Sequence, residues 1–192
     1  MNIEPRVLEG THVRLEPVAP AHRDAMYALL DCDPDTWAIY SISGYRENFP
    51  AYWDLMLDTP NRLTYGVWDK ATGRLVGTSS YFQIDPVHRT LEIGYTWYAP
   101  DYRGTYVNPE TKLLLMRHAF DAGALRIQFC VDTRNARSQA AMSKFATREG
   151  VIRRHKITWT GYLRDTALFS VIDSEWPAVE RSFEQRLQKF AA

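Results

Sequence analysis

One stretch constrains the fold more than any other: a strand pattern, a short loop and a helix signal follow one another between residues 91 and 120. Asn108 is predicted to cap the helix, Pro109 suits its first position, and Glu110 suits its first turn. Apolar residues then recur at helical spacing as far as Phe120. The strand is predicted by two alternating sets, one apolar (Leu91, Ile93, Tyr95 and Trp97) and one on the opposite face (Glu92, Gly94, Thr96 and Tyr98).

The loop between this strand and helix is Arg103-Gly104-Thr105-Tyr106-Val107. Amides at the start of a helix lack an intrahelical acceptor, and the helix dipole adds partial positive charge there. Because Arg103 adds a full charge, the loop suits an anion such as a pyrophosphate. An ordinary connection into a well-capped helix explains the same residues equally well, so the loop alone leaves both interpretations open.

Composition excludes several classes of protein. The chain has 192 residues, enough for one domain with a sizeable core, and its 23 basic and 23 acidic residues give a net charge of zero. The absence of a long basic block argues against a dedicated nucleic-acid binder. Apolar runs are too short to span a membrane, and the N-terminus lacks the apolar region of a signal peptide. The sequence therefore predicts a cytoplasmic protein.

The cysteines and histidines predict no metal site. Cys32 and Cys130 form no Cys-x-x-Cys pair, and Cys130 lies in an apolar strand where a buried thiol is expected. The five histidines show no metal-ligand spacing.

Periodicity and turn signals predict the other elements of a single domain over residues 1–192. The predicted strands are residues 11–18, 64–68, 75–84, 126–132, 151–159 and 163–172, and the predicted helices are 19–30, 47–57, 134–145 and 174–190. The strand at 126–132 has a nearly continuous apolar interior, as in a sheet covered on both faces. This order predicts a mixed α/β sheet.

Residues 36–57 are unusually aromatic. Most of the six rings are expected in the core, but a helical stripe needs fewer, so at least one is predicted to wall a binding cleft. The rings are Trp37, Tyr40, Tyr45, Phe49, Tyr52 and Trp53.

An ordered set of motifs runs through the chain. A hairpin leads to the strand Glu-Ile-Gly-Tyr-Thr-Trp, then to Ala-Pro-x-Tyr-Arg-Gly and a helix. An apolar strand ends in Val-Asp-x-x-Asn, x-x-Ser-Gln-x-Ala follows on a helix, and Arg-Glu-Gly-Val precedes a closing hairpin that contains Arg-Asp-Thr. This set resembles the GNAT superfamily of acetyl-CoA-dependent N-acetyltransferases, specifically its RimJ/RimL-like branch.

The resemblance implies the GNAT acyl-CoA N-acyltransferase fold, a mostly antiparallel central sheet with helices on both faces. It implies an N-acetyltransferase domain over about residues 11–173, followed by the C-terminal helix 174–190. The apolar stripe of that helix suits packing within the chain or against a second copy, so a homodimer stays open.

The resemblance also implies where coenzyme A binds. The family's pyrophosphate loop, Arg/Gln-x-x-Gly-x-Gly/Ala, falls on Arg103, Gly104, Thr105, Tyr106, Val107 and Asn108. Thr96, Trp97 and Tyr98 would pair with the pantetheine arm, and Asn135 and Ser138 would lie beside the pantetheine and the thiol. Tyr106 replaces the usual glycine and Asn108 a glycine or alanine. Both replacements keep the backbone amides, and these can still bind the phosphates if the Tyr106 side chain points away from them.

The expected chemistry requires a neutral amine. At pH 7, neutralising a lysine costs about 4.6 kcal/mol and an α-amino group about 1.1 kcal/mol. Glu92 is the predicted general base, acting directly or through water. A purely structural role, as a solvated or salt-bridged carboxylate on the strand, accounts for Glu92 equally well. His155 and Asp132 are weaker candidates. Met142 stands where many relatives carry a tyrosine donor, so Ser138 is the predicted proton donor to the thiolate.

The predicted function is transfer of an acetyl group from acetyl-CoA to a primary amine, by direct attack in a ternary complex. The acceptor is a protein N-terminus or a small amine, and the aromatic segment favours a flat or apolar acceptor over a highly cationic one. The alternative is a non-catalytic coenzyme-A-binding module or sensor. The replacements at Tyr106 and Met142 motivate that alternative.

Overall fold

A computed structural model describes residues 1–190 and shows one eight-stranded sheet. The predicted domain of residues 1–192 includes two final residues that lie outside the described part. The sheet order is β1-β2-β3-β4-β5-β6-β8-β7, and every neighbouring pair is antiparallel except β5 and β6. The strands are β1 (Leu8–Glu9), β2 (Val13–Pro17), β3 (Leu63–Asp69), β4 (Arg74–Asp85), β5 (Thr90–Tyr98), β6 (Arg126–Asp132), β7 (Thr147–Ile157) and β8 (Leu163–Ile172).

Helices cover both faces of the sheet and enclose two apolar clusters. The larger cluster includes side chains of α3, α4 and α5, and the smaller includes side chains of α1 and α2. The predicted mixed α/β fold is therefore confirmed. The helices are α1 (Arg23–Leu30), α2 (Phe49–Asp58), α3 (Val107–Asp121), α4 (Ala136–Met142) and α5 (Trp176–Leu187), with short 3₁₀ helices at Pro20–His22, Asp35–Ile39, Arg46–Asn48, Pro100–Tyr102 and Gln188–Phe190.

The parallel pair at the centre of the sheet is short. β5 and β6 pair only where Thr90, Leu91 and Glu92 face residues 126–128. Beyond Glu92 and Gln128 no further pairing joins these two strands in the described chain. The two strands therefore separate, and the gap that opens between them is bordered by strand edges rather than by a helix.

The predicted alternation along β5 is wrong after its midpoint. Tyr95 has φ 48°, and the register between β4 and β5 shifts nearby, between Thr78 and Ser80. Such a bulge turns the following side chains to the other face of the sheet. Leu91 and Ile93 accordingly lie in the larger cluster, whereas Trp97 lies in the smaller one. The bulge lies beside the gap between β5 and β6.

Helix α3 is buried on almost every side. Eleven of its 15 residues are buried, including the charged Glu110 and Lys112. The Glu110 carboxylate accepts the backbone N–H groups of Thr11, His12 and Val13 at 2.7, 2.9 and 2.8 Å. It therefore ties the start of α3 to the first residue of β2 and the two residues before it, a stronger role than the predicted favourable interaction with the helix dipole.

Four local predictions are corrected. The first turn of α3 begins at Val107, so Asn108 lies inside the helix and makes no side-chain cap. α4 ends at Met142, three residues earlier than predicted, and β7 begins at Thr147, four residues earlier. β6 is not covered on both faces: Gln128 and Cys130 are half-buried, because that face borders a cleft.

No helix within residues 1–190 is long and apolar enough to cross a membrane.

Candidate active site

The gap between β5 and β6 widens into a cleft of about 490 Å³. Side chains of β5, β6, α3 and α4 line it, together with the segment that follows α1. Although the chain is formally neutral, the lining is strongly basic, since only Glu92 and Asp132 are acidic. The basic residues are Arg103, Lys112, Arg137, Lys144, Lys156, Arg164 and Arg186. This imbalance suits a ligand with several negative charges.

The loop before α3 opens onto the cleft through Arg103, Gly104 and Asn108. Gly104 has φ 81°, a conformation that favours glycine, and it turns the chain into the helix. Within the described residues, the amides at positions 104, 105, 106 and 108 have no hydrogen-bond acceptor. Thr105 Oγ1 accepts the Val107 amide at 3.3 Å, so Thr105 covers the helix start in place of the predicted Asn108. Free amides at a helix N-terminus are suited to hold an anion, so the geometry is compatible with the predicted pyrophosphate loop.

Tyr106 points away from this site. Its hydroxyl donates to Asp69 Oδ1 at 2.7 Å, and its ring lies 4.6 Å from the His12 ring. Neither Thr105, Tyr106 nor the buried Val107 lines the cleft. The tyrosine that departs from the family pattern therefore leaves the loop amides accessible.

Arg103 is already paired in this structure. One guanidinium nitrogen lies 2.6 Å from Asp33 Oδ2, and Nε donates to the Tyr98 carbonyl at 2.9 Å. Burial acts to raise the pKa of Asp33, but hydrogen bonds from Thr36 and Arg103 outweigh it and lower that pKa. The pair fixes the direction of Arg103 beside the loop and shares its positive charge with a carboxylate.

Glu92 lies where β5 and β6 part. Its side chain lines the cleft, its exposed fraction is 3%, and it accepts a hydrogen bond from Gln128 Nε2 at 3.2 Å. Burial raises the pKa of Glu92, and the nearby Lys156 ammonium opposes that rise. A carboxylate with a raised pKa is a stronger base than an exposed one.

The two weaker base candidates are less suited to that role. Asp132 lines the cleft but accepts from Arg134 Nε at 3.1 Å and Nη2 at 2.8 Å. Burial acts to raise the pKa of Asp132, but the hydrogen bonds from Arg134 lower it overall. His155 does not line the cleft, and its Nδ1 lies 3.1 Å from Thr166 Oγ1.

Asn135 and Ser138 lie at the start of α4, on the other side of the gap. Asn135 Oδ1 accepts the Ser138 amide at 3.0 Å, so the predicted cap of this helix is confirmed. Both side chains line the cleft, and the Ser138 hydroxyl makes no hydrogen bond to residues 1–190. Met142, one turn further along, is buried and also borders the cleft.

The end of β5 presents only part of the predicted set to the cleft. Thr96 and Tyr98 line it, whereas the Trp97 side chain is fully buried and stacks on Trp37 at 6.2 Å. The Tyr40 hydroxyl donates to the Thr96 carbonyl at 2.7 Å. Tyr40 also lines the cleft, so the prediction that the aromatic segment contributes a ring to its wall is confirmed.

Sequence reasoning missed Lys112. This α3 residue lines the cleft with an exposed fraction of 3%; its Nζ donates to Thr96 Oγ1 at 3.1 Å and lies 5.3 Å from the centre of the Phe129 ring. Burial lowers its pKa to about 7. Its burial could have been inferred from the sequence, because Lys112 directly precedes the apolar run Leu113–Met116 in a helix without a wholly polar face.

Potential metal ligands form no cluster in the described residues. Within residues 1–190, no three or more histidine, cysteine, aspartate or glutamate side chains are grouped so that they could hold a metal ion.

Comparisons with known proteins identify the family. The family description "Acetyltransferase (GNAT) domain" matches residues 12–147. YdaF of Bacillus subtilis (strain 168), provisionally named a ribosomal N-acetyltransferase, is 28% identical over 138 residues, which cover 71% of this chain and 73% of YdaF. This relative agrees with the predicted RimJ/RimL-like branch.

Two solved structures share the fold. One, from T. thermophilus and provisionally named an acetyltransferase, is 36% identical, with a TM-score of 0.88 over 97% of this chain and 100% of that one. Mycobacterium smegmatis RimJ, solved in complex with CoA-disulfide, is 19% identical, with a TM-score of 0.80 over 97% of this chain and 95% of that one. The family match spans most of the chain, and we conclude that the chain belongs to the GNAT family of acetyl-CoA-dependent N-acetyltransferases.

Proposed function

We propose that the protein transfers an acetyl group from acetyl-CoA to a primary amine by direct attack in a ternary complex. One observation carries the proposal: a single cleft brings together the loop at residues 103–108, Glu92 and Ser138, which are far apart in sequence. The free loop amides and the basic lining suit a diphosphate. The solved complex of M. smegmatis RimJ with CoA-disulfide supports coenzyme A as the ligand of this fold.

The gap between β5 and β6 suits an extended thioester arm. Beyond Glu92 and Gln128 the facing strand edges do not pair with each other, so the backbone groups there that no side chain contacts are available to a ligand. An arm that enters between the strands from the loop side would bring its thioester towards Glu92. Thr96 and Tyr98 border this path by their side chains, and Trp97 would contribute only its backbone.

The chemistry assigns one role to each of two side chains. Glu92, directly or through water, takes the proton that the amine loses as its nitrogen bonds to the thioester carbonyl carbon. The carbon–sulfur bond breaks, and the Ser138 hydroxyl gives a proton to the departing thiolate and regains one from solvent. The products are an amide and the free thiol. Donors towards the carbonyl oxygen would come from the unpaired edge of β5.

Two measurements on the full chain test this function. Acetyl-CoA should raise the melting temperature by mass action, and free thiol should appear when a panel of amines, amino acids and peptides is added. Arg103→Gln should reduce the melting shift, whereas Arg153→Gln, at an exposed position outside the cleft lining, should not.

The outcomes separate the alternatives. A melting shift without thiol release above background hydrolysis would leave the non-catalytic coenzyme-A-binding module as the explanation. Met142 favours that alternative, because a thioether has no proton to give where many relatives place a phenol. The absence of both a melting shift and thiol release would exclude both the acetyltransferase and the coenzyme-A-binding module.

A further inference from the structure

One end of the cleft holds two cations in an unfavourable arrangement. Lys156 on β7 and Arg164 on β8 are direct cross-strand partners, and both line the cleft. Like charges placed directly opposite each other in an antiparallel pair destabilise it. The β7 register shifts between Ile152 and Lys156, where Arg154 has φ 48°. A bulge of this kind redirects side chains, and here Lys156 is directed towards the cleft.

Arg164 is a buried charge without a carboxylate partner. Its exposed fraction is 7%, and its guanidinium donates to Ser41 Oγ at 2.6 Å and to the Cys130 carbonyl at 3.1 Å. Its Nε has no hydrogen-bond partner within the described chain. Burying a charge is costly unless an opposite charge compensates it.

Carboxylates near this pair do not balance it. Glu92 is the acidic side chain that shares this part of the cleft, and Asp132 is held by Arg134. Neither Lys156 nor Arg164 forms a salt bridge to any carboxylate in residues 1–190. Glu92 alone does not offset the two cations, so the charge beside the predicted base is net positive.

The surrounding wall is largely apolar. Phe82 and Tyr95 line the cleft with their rings 4.9 Å apart, and Tyr40 and Ile42 line it from the segment after α1. An acceptor that fits here would place its amine at Glu92, a negative group at the two cations and an apolar side chain against the rings.

We propose that Lys156 and Arg164 form a carboxylate-binding subsite, so that the acceptor is an α-amino acid or a similar small amine with a carboxylate a few bonds from its nitrogen. This inference rests on the proposed function and narrows its acceptor. It disfavours polyamines, because a second ammonium group would face the two cations. A protein N-terminus lacks the carboxylate at the required distance.

Matched acceptors test the subsite. Phenylalanine and phenylalaninamide differ in the carboxylate, and the amide has the less basic amine, which by itself favours the amide. The wild-type protein should nevertheless acetylate phenylalanine with a kcat/KM about tenfold higher or more, because an unpaired subsite penalises the amide. Lys156→Gln should bring the ratio of the two kcat/KM values close to one, chiefly by raising the KM for phenylalanine. Lys156→Glu should make phenylalaninamide the better substrate.

Lys156 is the informative position because its side chain makes no hydrogen bond within the described chain, whereas Arg164→Gln would also remove the contacts to Ser41 and Cys130. Arg153→Gln is the matched control on the same strand and should keep the wild-type ratio. Equal or faster turnover of phenylalaninamide by the wild-type protein would overturn the subsite while leaving acetyl transfer in place.

A binding measurement keeps the subsite testable without turnover. With coenzyme A present, N-acetylphenylalanine should bind by calorimetry about tenfold more tightly than N-acetylphenylalaninamide, and Lys156→Gln should abolish the difference. If N-acetylphenylalanine binds more tightly but no amine gives thiol release, the proposed function is refuted and the subsite still stands. Equal affinities of the two compounds for the wild-type protein would refute the subsite.

Discussion

Lys112 Nζ lies 3.1 Å from Thr96 Oγ1 and links the buried helix α3 to the bulged part of β5. Burial lowers the pKa of Lys112 to about 7. The folded state therefore resists charging a side chain that is protonated in the unfolded chain up to about pH 10.5.

Replacing this lysine with methionine should stabilise the protein. Lys112→Met should raise the free energy of unfolding at pH 7 by about 1–4 kcal/mol, as expected when a buried ionisable group is replaced by an apolar one of similar size. Urea unfolding measures the change, and Lys189→Met, at an exposed position, is the control. A loss of stability would show that the Thr96 hydrogen bond outweighs the cost of burial.

The same lysine predicts how stability varies with pH. Between about pH 7 and 10.5 the unfolded state binds the Lys112 proton more tightly than the folded state. The contribution of this group to the free energy of unfolding should therefore rise with pH across that window and be constant below it. Lys112→Met should lack this rise when the two proteins are compared from pH 6 to 10. Parallel curves would contradict the lowered pKa.

Glu92→Gln should lower kcat/KM at pH 7 by about 10²–10⁴-fold, because the amide cannot accept the amine proton. The loss should shrink at higher pH, where more of the acceptor amine is already neutral. Since burial raises the pKa of Glu92, the activity of the wild-type protein should fall with decreasing pH at a pH above the usual pKa of a glutamate. An unchanged pH profile in the variant would remove Glu92 as the base.

Ser138→Ala should lower kcat and leave the acetyl-CoA melting shift unchanged, because the free hydroxyl is assigned to thiolate protonation. Asn135→Ala provides the contrast on the same helix. It removes the cap of α4 and should cost about 1 kcal/mol of stability. A loss of coenzyme A binding in Ser138→Ala, with kcat intact, would reassign Ser138 to binding.

Glu110→Ala should destabilise the protein by about 3 kcal/mol or more, because three buried or half-buried amides lose one charged acceptor. Urea unfolding of this variant tests the value, and Glu47→Ala, at an exposed position, is the control. A change within about 0.5 kcal/mol, as an ordinary surface substitution gives, would show that these three amides find other partners.

The sequence predicted the elements whose signals are local. The Asn135 cap and the alternation from Leu91 to Ile93 depend on neighbouring residues, and both are present in the structure. The bulge at Tyr95 was missed because a positive φ at an aromatic residue has no composition signal. Lys156 and Arg164 were missed as a pair because their contact depends on a shifted register between two strands.

Part of the site followed from ordered motifs and part from tertiary packing. Arg103, Gly104 and Asn108 of the predicted loop line one cleft with Asn135 and Ser138, whereas Thr105, Tyr106 and Val107 do not line it. Lys112 was missed because a lysine in a helix is usually solvated, and only the all-round burial of α3 makes it unusual.

That all-round burial also limits which part of the molecule can move. Because Glu110 binds the backbone of residues 11–13, the helix cannot move towards an incoming ligand without breaking three hydrogen bonds. We expect α3 to be a rigid wall of the cleft, so that Asn108 and Lys112 keep their positions when a ligand enters.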